Sequence, residues 1–143
     1  MKPWDFPNPH FVTLDVLADD IDAYNHVNNS VYLSWLDEAA WSHSAALGLS
    51  IEQCLQMRRG MAAHRTEIDY LRAAMLGDQV LVGTWIVSTD AKLRVERRFQ
   101  VRRANDGETL ARARIDYVCI NLDSGRAARM PESFQQTYVP TNC

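Results

Sequence analysis

Five segments of this chain have the hydrophobic pattern of β-strands. Four of them alternate apolar and polar residues with a period of two, and the segment at 79–88 is apolar on both faces, as a central strand would be. The segments are FVTLDVL (11–17), MAAHRTEIDYL (61–71), QVLVGTWIVS (79–88), LRVERRFQVRR (93–103) and TLARARIDYVCIN (109–121). Their short connections, including the turn sequence NDG at 105–107, favour antiparallel neighbours.

A helical period predicts one long helix, from about Val31 to Leu47, between the first and second strands. Three residues can supply its N-terminal cap: Asn28, Asn29 and Ser30. Gly48 followed by Leu49 is a common signal for a helix C-terminus. Apolar residues cover most of the helix circumference, which is typical of a buried helix. A short second helix should begin after Ser50 and end at Gly60.

The predicted element order therefore indicates an α+β fold in which an antiparallel sheet packs on a central helix. The helix can be buried on most sides only if the sheet curves around it. A curved open sheet keeps two edge strands and an outer face, so we expect the chain to form a homo-oligomer.

Composition narrows the class of protein further. The chain has 143 residues, of which 47% are hydrophobic and 23% charged, as expected for a single soluble domain spanning 1–143. A net charge of −3 argues against a nucleic-acid partner.

No apolar run reaches the length of a membrane span, and the N-terminal segment lacks the apolar core of a signal peptide. Three widely spaced cysteines, Cys54, Cys119 and Cys143, fit neither a disulfide framework nor a zinc site and favour the cytoplasm.

The most unusual stretch is DIDAYNHVNNSVYLSWLDEAAW, at 20–41. It places six carboxylate, amide and imidazole side chains immediately before the predicted buried helix. A helix N-terminus has unpaired N–H groups and a partial positive charge, so it can stabilise a developing oxyanion. The stretch therefore combines a possible base or nucleophile with a possible oxyanion donor.

Three motifs resemble the hotdog-fold acyl-CoA thioesterases, in particular the subgroup related to 4-hydroxybenzoyl-CoA thioesterase. They are DIDAYNHVNNSVYLSWLDEA, EIDYLRAAMLGDQV (67–80) and ARARIDYVCINLDSGRAARMP, and their spacing also agrees. The resemblance implies a five-stranded antiparallel sheet wrapped around a central long helix. It also implies assembly as a homodimer or homotetramer, with active sites at the dimer interface and with no metal or other cofactor.

The resemblance also implies the roles of individual residues. In related aryl-CoA enzymes an Asp in the loop before the helix is the nucleophile or general base, and Asp22 matches it by position. A backbone N–H at the start of the helix polarises the thioester carbonyl, and the matching position is near Asn29. His26 is a further candidate, as a proton shuttle or a substrate contact. Substrate binding is predicted for Tyr24, Asn28 and Tyr32, with Trp35 and Tyr70 as other aromatic residues that could line an acyl pocket.

Other interpretations of these residues stay open. Asp22 could simply cap its own turn, and His26 could only fill the loop. In another hotdog subgroup the catalytic carboxylate lies on the central helix, so Asp37 and Glu38 are rivals to Asp22. The acidic pair could instead form a structural ion pair with Arg97, which lies on the apolar face of its strand.

The chain departs from the family pattern at two positions. The family usually has Gly before the His, where this chain has Asn25, the next most tolerant type for a positive φ. The usual Pro of the second motif is replaced by Ala73. Coenzyme A phosphates could be bound by arginines of the second half of the chain: Arg72, Arg98, Arg102 and Arg103.

The predicted function is hydrolysis of an acyl-CoA thioester to a free acid and CoA. Two alternatives remain, a hotdog dehydratase and a non-catalytic acyl-CoA-binding domain. The acyl group, its length and the choice between CoA and acyl carrier protein do not follow from the sequence.

Overall fold

A computed structural model of the protein describes residues 3–140. Its elements are β1 (His10–Asp15), a 3₁₀ turn (Ala18–Asp20), α1 (Asn29–Ala46), α2 (Ile51–Met57), β2 (Arg59–Tyr70), β3 (Gln79–Thr89), β4 (Arg94–Arg103), β5 (Thr109–Asn121) and α3 (Glu132–Thr137). The strands form one antiparallel sheet in the order β1-β3-β4-β5-β2. All five predicted strands are confirmed, with ends that differ by no more than the usual uncertainty of strand boundaries.

Helix α1 begins and ends where the local sequence signals indicate. Asn28 is the N-cap, and its side-chain oxygen accepts the Ser30 N–H at 3.0 Å. At the other end Gly48 has φ of +97°, the left-handed conformation that stops a helix at little cost for glycine. The helix is therefore fixed at both ends by short-range interactions.

One face of α1 packs on the inner face of the sheet. The buried residues of this face are Tyr32, Trp35, Leu36, Ala39 and Ser44. Leu33 and Trp41, however, are 45% and 41% exposed. The prediction that α1 is buried around nearly its whole circumference is therefore wrong for a single chain. The sheet covers only one side of the helix, so an apolar strip on the other side is left open.

The short helix α2 ends earlier than predicted. Its last residue is Met57, and Arg58 rather than Gly60 takes the left-handed conformation, with φ of +52°. The Arg58 guanidinium donates to Asp123 at 2.8 Å, which ties this position to the turn after β5. Gly60 instead lies buried near the start of β2.

The outer face of the sheet is partly covered by the segment that precedes β1, a feature the sequence did not predict. The Trp4 ring lies over Gly83 and stacks on the Arg102 guanidinium, 4.7 Å from ring centre to Cζ. The Trp85 indole N–H donates to the Pro7 carbonyl at 2.9 Å. Residues 3–9 thus belong to the packed domain and shield β3 and β4 from solvent.

None of the helices within residues 3–140 combines the length and the apolar character that crossing a membrane would require.

Candidate active site

The polar stretch before α1 folds into a small hairpin over residues 20–28. An antiparallel bridge joins Ile21 to Val27. The Asp22 N–H donates to the His26 carbonyl at 2.9 Å. The two arms therefore hold Asp22 and His26 side by side in the segment that leads into α1.

Asn25 occupies the tip of this hairpin with φ of +61°. The conformation is the left-handed one that a family glycine would adopt, and asparagine tolerates it better than other non-glycine residues. The replacement of Gly by Asn25 therefore keeps the turn and adds an exposed amide to it.

The Asp22 carboxylate is half-buried and accepts the Tyr24 backbone N–H at 2.9 Å. This contact is the turn-capping interaction that loop aspartates commonly make. Asp20 makes a similar contact, because its carboxylate accepts the Leu17 N–H at 2.9 Å. Capping fixes the position of Asp22 and engages only one of its two carboxylate oxygens in this bond.

Among the described residues, the first turn of α1 leaves one backbone donor, the Asn29 N–H, without an acceptor. The Ser30 N–H donates to the Asn28 side chain, and the Val31 N–H donates to the Asn28 carbonyl at 2.9 Å. Among the hydrogen bonds within residues 3–140, none has the Asn29 N–H as its donor. The Asn29 carbonyl accepts the Tyr70 hydroxyl at 3.1 Å, which restrains this peptide.

The remaining predicted site residues divide into exposed and buried ones. Tyr24 is 82% exposed, and His26 and Asn28 are also exposed. Tyr32 is buried, and its hydroxyl accepts the Ala74 N–H at 3.1 Å. In the single chain Tyr32 therefore anchors the loop before β3 to α1 rather than facing solvent.

The rival carboxylates Asp37 and Glu38 are both exposed on α1. Asp37, unlike Glu38, lines a cavity of about 290 Å³ that also contains Arg97 and Tyr117. The predicted ion pair with Arg97 is not found among the described residues. Arg97 instead donates to neutral acceptors on α1 and β3: His43 Nδ1 at 2.9 Å, Ser44 Oγ at 3.1 Å and Thr84 Oγ1 at 3.4 Å.

His43 is neutral in this network. Burial, helped by the nearby Arg97 charge and the stacked His10 ring, lowers the pKa of His43 to about 4. A guanidinium can only donate, so the neutral His43 ring accepts at Nδ1 and carries its proton on Nε2.

The lowered pKa predicts a pH-dependent stability. The unfolded chain has a His pKa of 6.5 and takes up a proton in a range where folded His43 does not. The free energy of unfolding should therefore be fully present above about pH 6.5 and fall as pH decreases toward 4. We expect a loss of about 1–2 kcal/mol after allowing for partial solvent screening. Denaturant titrations of His43→Asn should show a smaller decrease in the free energy of unfolding between pH 6.5 and 4 than those of the wild type. The same decrease in both proteins would show that His43 is not the cause.

All four arginines considered for coenzyme A have an acidic or aromatic neighbour. Arg98 pairs with Glu96 at 2.9 Å, Arg103 pairs with Asp78 at 3.2 Å, and Arg102 lies buried under Trp4. Arg72 is 64% exposed and only 3.7 Å from Glu108. Its loop is tied to the α1 side of the molecule, since the Ala74 carbonyl accepts the Val27 N–H at 3.0 Å.

Sequence reasoning gave no functional role to the group around Arg97. Its members are His43, Ser44, Arg97, Tyr117 and Tyr138. The available signal was a charged residue on the otherwise apolar inner face of β4. Between residues 3 and 140, no group of three or more His, Cys, Asp or Glu side chains is placed to hold a metal ion.

Comparison with known proteins places this chain in a family. Residues 16–137 match the Thioesterase-like superfamily. The chain belongs to this superfamily. It is 30% identical over 114 residues to the long-chain acyl-CoA thioesterase FadM of Escherichia coli, an alignment that covers 75% of this chain and 80% of the relative.

Solved structures agree with this assignment. A thioesterase of Thermus thermophilus complexed with coenzyme A and Zn is 31% identical, with a TM-score of 0.73 over 93% of this chain and 98% of that one. A 1,4-dihydroxy-2-naphthoyl-CoA thioesterase of Synechocystis is 24% identical, with a TM-score of 0.82 over 92% and 96% of the two chains. The predicted hotdog fold is confirmed, and this superfamily member is a thioester hydrolase.

Proposed function

We propose that this thioesterase hydrolyses an acyl-CoA, with Asp22 as the general base or nucleophile and the Asn29 N–H as the oxyanion donor. The observation that carries the proposal is the arrangement at the start of α1. A carboxylate held by its own turn lies in the hairpin that leads into a helix whose Asn29 N–H has no acceptor among residues 3–140. The relative from Escherichia coli, named a long-chain acyl-CoA thioesterase, supports the substrate class.

The chemistry needs no further group. With Asp22 as general base, water gives a proton to the carboxylate while its oxygen bonds to the acyl carbon. The carbonyl oxygen becomes an oxyanion, which the Asn29 N–H and the positive end of α1 stabilise. The oxyanion then collapses and the C–S bond breaks, and the proton held by Asp22 passes to the departing thiolate, which leaves the free acid and the CoA thiol. With Asp22 as nucleophile, its oxygen bonds to the acyl carbon and the C–S bond breaks, so that CoA leaves as the thiolate and a mixed anhydride remains. Water then hydrolyses the anhydride, which releases the acid and restores the Asp22 carboxylate.

We propose that Arg72 binds the coenzyme A phosphates. It is the most exposed of the four candidates, and its loop is hydrogen-bonded to the segment that leads into α1. An exposed guanidinium can bind a phosphate with two parallel hydrogen bonds. The structurally related thioesterase from Thermus thermophilus, in complex with coenzyme A, supports binding of this moiety.

A homodimer or homotetramer would complete the site. In one protomer the polar hairpin is open to solvent, and Leu33 and Trp41 form an apolar strip on the exposed side of α1. Covering this strip with a second copy would remove apolar area from water and exclude water from the reacting groups. We also propose a cytoplasmic location, in keeping with two buried free thiols, Cys54 and Cys119. Cys143 lies outside the described residues.

A second arrangement has one observation in its favour. Asp37 lines the cavity beside Arg97, whereas Glu38 does not. If the thioester carbonyl were bound there, Asp37 would be the catalytic carboxylate, as in the other hotdog subgroup. We prefer Asp22 because it lies in the hairpin that leads directly to the Asn29 N–H.

The proposed activity is tested by measuring thiol release from a panel of acyl-CoA and acyl-carrier-protein thioesters. We expect turnover of at least one acyl-CoA by the purified wild type. Binding of acyl-CoA without thiol release would contradict the proposal and indicate a binding domain. Loss of water from a hydroxyacyl thioester without release of a thiol would indicate a dehydratase instead.

A further inference from the structure

The cavity beside Arg97 has a mixed apolar and polar lining that the proposed reaction does not use. It lies between the middle of α1 and the inner faces of β2, β4 and β5, with a volume of about 290 Å³. Trp41 and Met61 contribute apolar walls, while Arg97 and Tyr117 contribute donors. A cavity of this composition is suited to a ligand that is partly apolar and partly polar.

Tyr117 supplies a hydroxyl group without a partner. The residue is only 8% exposed, and its hydroxyl oxygen is buried with no hydrogen bond to any described residue. Burial is the main reason that the pKa of Tyr117 is raised, so the phenol is protonated at neutral pH and can donate. An unpaired buried hydroxyl is unusual and costs stability, which suggests that a ligand satisfies it.

Arg97 adds a buried positive charge on the same cavity wall. It is 2% exposed, and none of the ion pairs within residues 3–140 includes it. Its hydrogen-bond acceptors, on His43, Ser44 and Thr84, are all neutral. A guanidinium buried in this way favours an additional acceptor oxygen in the cavity.

One face of α1 connects this cavity to the proposed site of hydrolysis. Asn29, Leu33, Asp37 and Trp41 follow one another at intervals of four residues, so they lie along the same side of the helix. The rise of an α-helix puts Asp37 about 12 Å beyond Asn29. Leu33, which lies between them, is exposed and apolar. An acyl chain whose thioester lies at Asn29 can follow this face and end in the cavity.

We propose that the cavity binds the distal end of a medium-length acyl chain and that this end carries a hydroxyl group. The inference rests on the proposed acyl-CoA hydrolysis. The ligand hydroxyl would accept from Tyr117 and Arg97. It could also donate to Asp37, which lies near enough to Tyr117 to influence its pKa.

A hydroxyl fits this cavity better than the two obvious alternatives. A plain alkyl end would leave the Tyr117 hydroxyl unsatisfied and put hydrocarbon against a buried guanidinium. A carboxylate end would be attracted by Arg97 but repelled by Asp37. A neutral group that both donates and accepts complements all three side chains.

The test compares three substrates: decanoyl-CoA, ω-hydroxydecanoyl-CoA and the mono-CoA ester of decanedioic acid. In the wild type, kcat/KM for the hydroxylated substrate should exceed that for decanoyl-CoA by about threefold to tenfold, as expected for one or two added hydrogen bonds. In Tyr117→Phe this ratio should fall toward one, because only the hydroxylated substrate loses a partner. The melting temperature of the variant should not fall, since no protein hydrogen bond is removed.

Tyr138→Phe is the matched control. The Tyr138 hydroxyl lines the same cavity but is already bonded to Ser44 Oγ at 3.0 Å. Its removal should lower the melting temperature and leave the substrate ratio in place.

Each outcome is decisive. Equal kcat/KM for the hydroxylated and plain substrates in the wild type would overturn the inference while leaving the proposed thioesterase function intact. The inference would also be overturned by a preference for the dicarboxylic substrate. So would a Tyr117→Phe variant that keeps the wild-type ratio of kcat/KM between the hydroxylated and plain substrates. If Tyr117→Phe does not fold, the wild-type ratio alone decides. Hydrolysis of none of the three would overturn the inference, and turnover of another acyl-CoA in the wider panel would show that the proposed acyl-CoA hydrolysis still stands.

Discussion

Replacing Gly83 by Ala is expected to lower the free energy of unfolding by about 1–3 kcal/mol, the usual cost of overpacking. A Cβ at this position would lie 2.6 Å from Cζ3 of Trp4, closer than real contacts allow. The ring cannot move freely, because it stacks on Arg102 and packs edge-on against Trp85. Relieving the clash should therefore detach the segment of residues 3–9 from the outer face of the sheet.

Gly60→Ala is the matched control for this substitution. Gly60 is also a buried strand glycine, but the nearest atom to its added Cβ is Cδ2 of Leu122 at 3.1 Å, the end of a flexible side chain. Denaturant titrations should show a clearly smaller loss for Gly60→Ala than for Gly83→Ala. In a Trp4→Ala background Gly83→Ala should cost little. An equal cost with and without the Trp4 ring would show that the clash is not the cause.

The strands and the ends of α1 could be predicted because short-range patterns determine them. β5 occupies the predicted segment, Thr109–Asn121, and the cap at Asn28 and the stop at Gly48 follow from backbone hydrogen bonding and glycine conformation. The positive φ of Asn25 was predictable in the same way, from the residue types that tolerate it.

Features that depend on long-range packing could not be predicted. The pattern of residues 3–9 gives no sign that Trp4 lies over Gly83, because nothing local links positions so far apart in the chain. The partners of Arg97 were also predicted wrongly. Asp37 and Glu38 have the right charge, but the side chains that lie within hydrogen-bond distance of the guanidinium are those of His43, Ser44 and Thr84.

The candidate site could be predicted from the sequence only in part. The sequence predicted a site with Asp22 and Asn29; in the structure Asp22 lies in the hairpin of residues 20–28, and Asn29 is the first residue of α1. The sequence could not show which of the two neighbouring helix carboxylates lines a cavity. Adjacent residues point about 100° apart around a helix, so the answer depends on how the helix packs. Asp37 lies on the cavity side and Glu38 does not.

Replacing Asp22 by Asn is expected to lower kcat/KM for acyl-CoA hydrolysis by about 10²–10⁴-fold, the usual contribution of a general base. An Asn side chain keeps the oxygen that accepts the Tyr24 N–H, so the turn should be retained. It lacks the negative charge needed to take a proton from water or to attack the carbonyl. The loss should therefore appear in kcat without a change in the folded structure.

Asp20→Asn provides a matched control in the same loop. Asp20 also caps a turn through one carboxylate oxygen, but we assign it no chemistry. The variant should hydrolyse acyl-CoA at close to the wild-type rate. A similar loss in both variants would mean that the loop needs its negative charge for folding or for substrate approach, not that Asp22 is a base or nucleophile.

The most direct test of the central claim is kcat/KM for acyl-CoA thiol release, measured in parallel for wild type, Asp22→Asn and Asp37→Asn. The proposed site predicts that Asp22→Asn, folded by circular dichroism, loses at least about a hundredfold, while Asp37→Asn keeps most of its activity. A folded Asp22→Asn that turns over as fast as wild type, with Asp37→Asn inactive, would contradict it and assign the reaction to the carboxylate on α1.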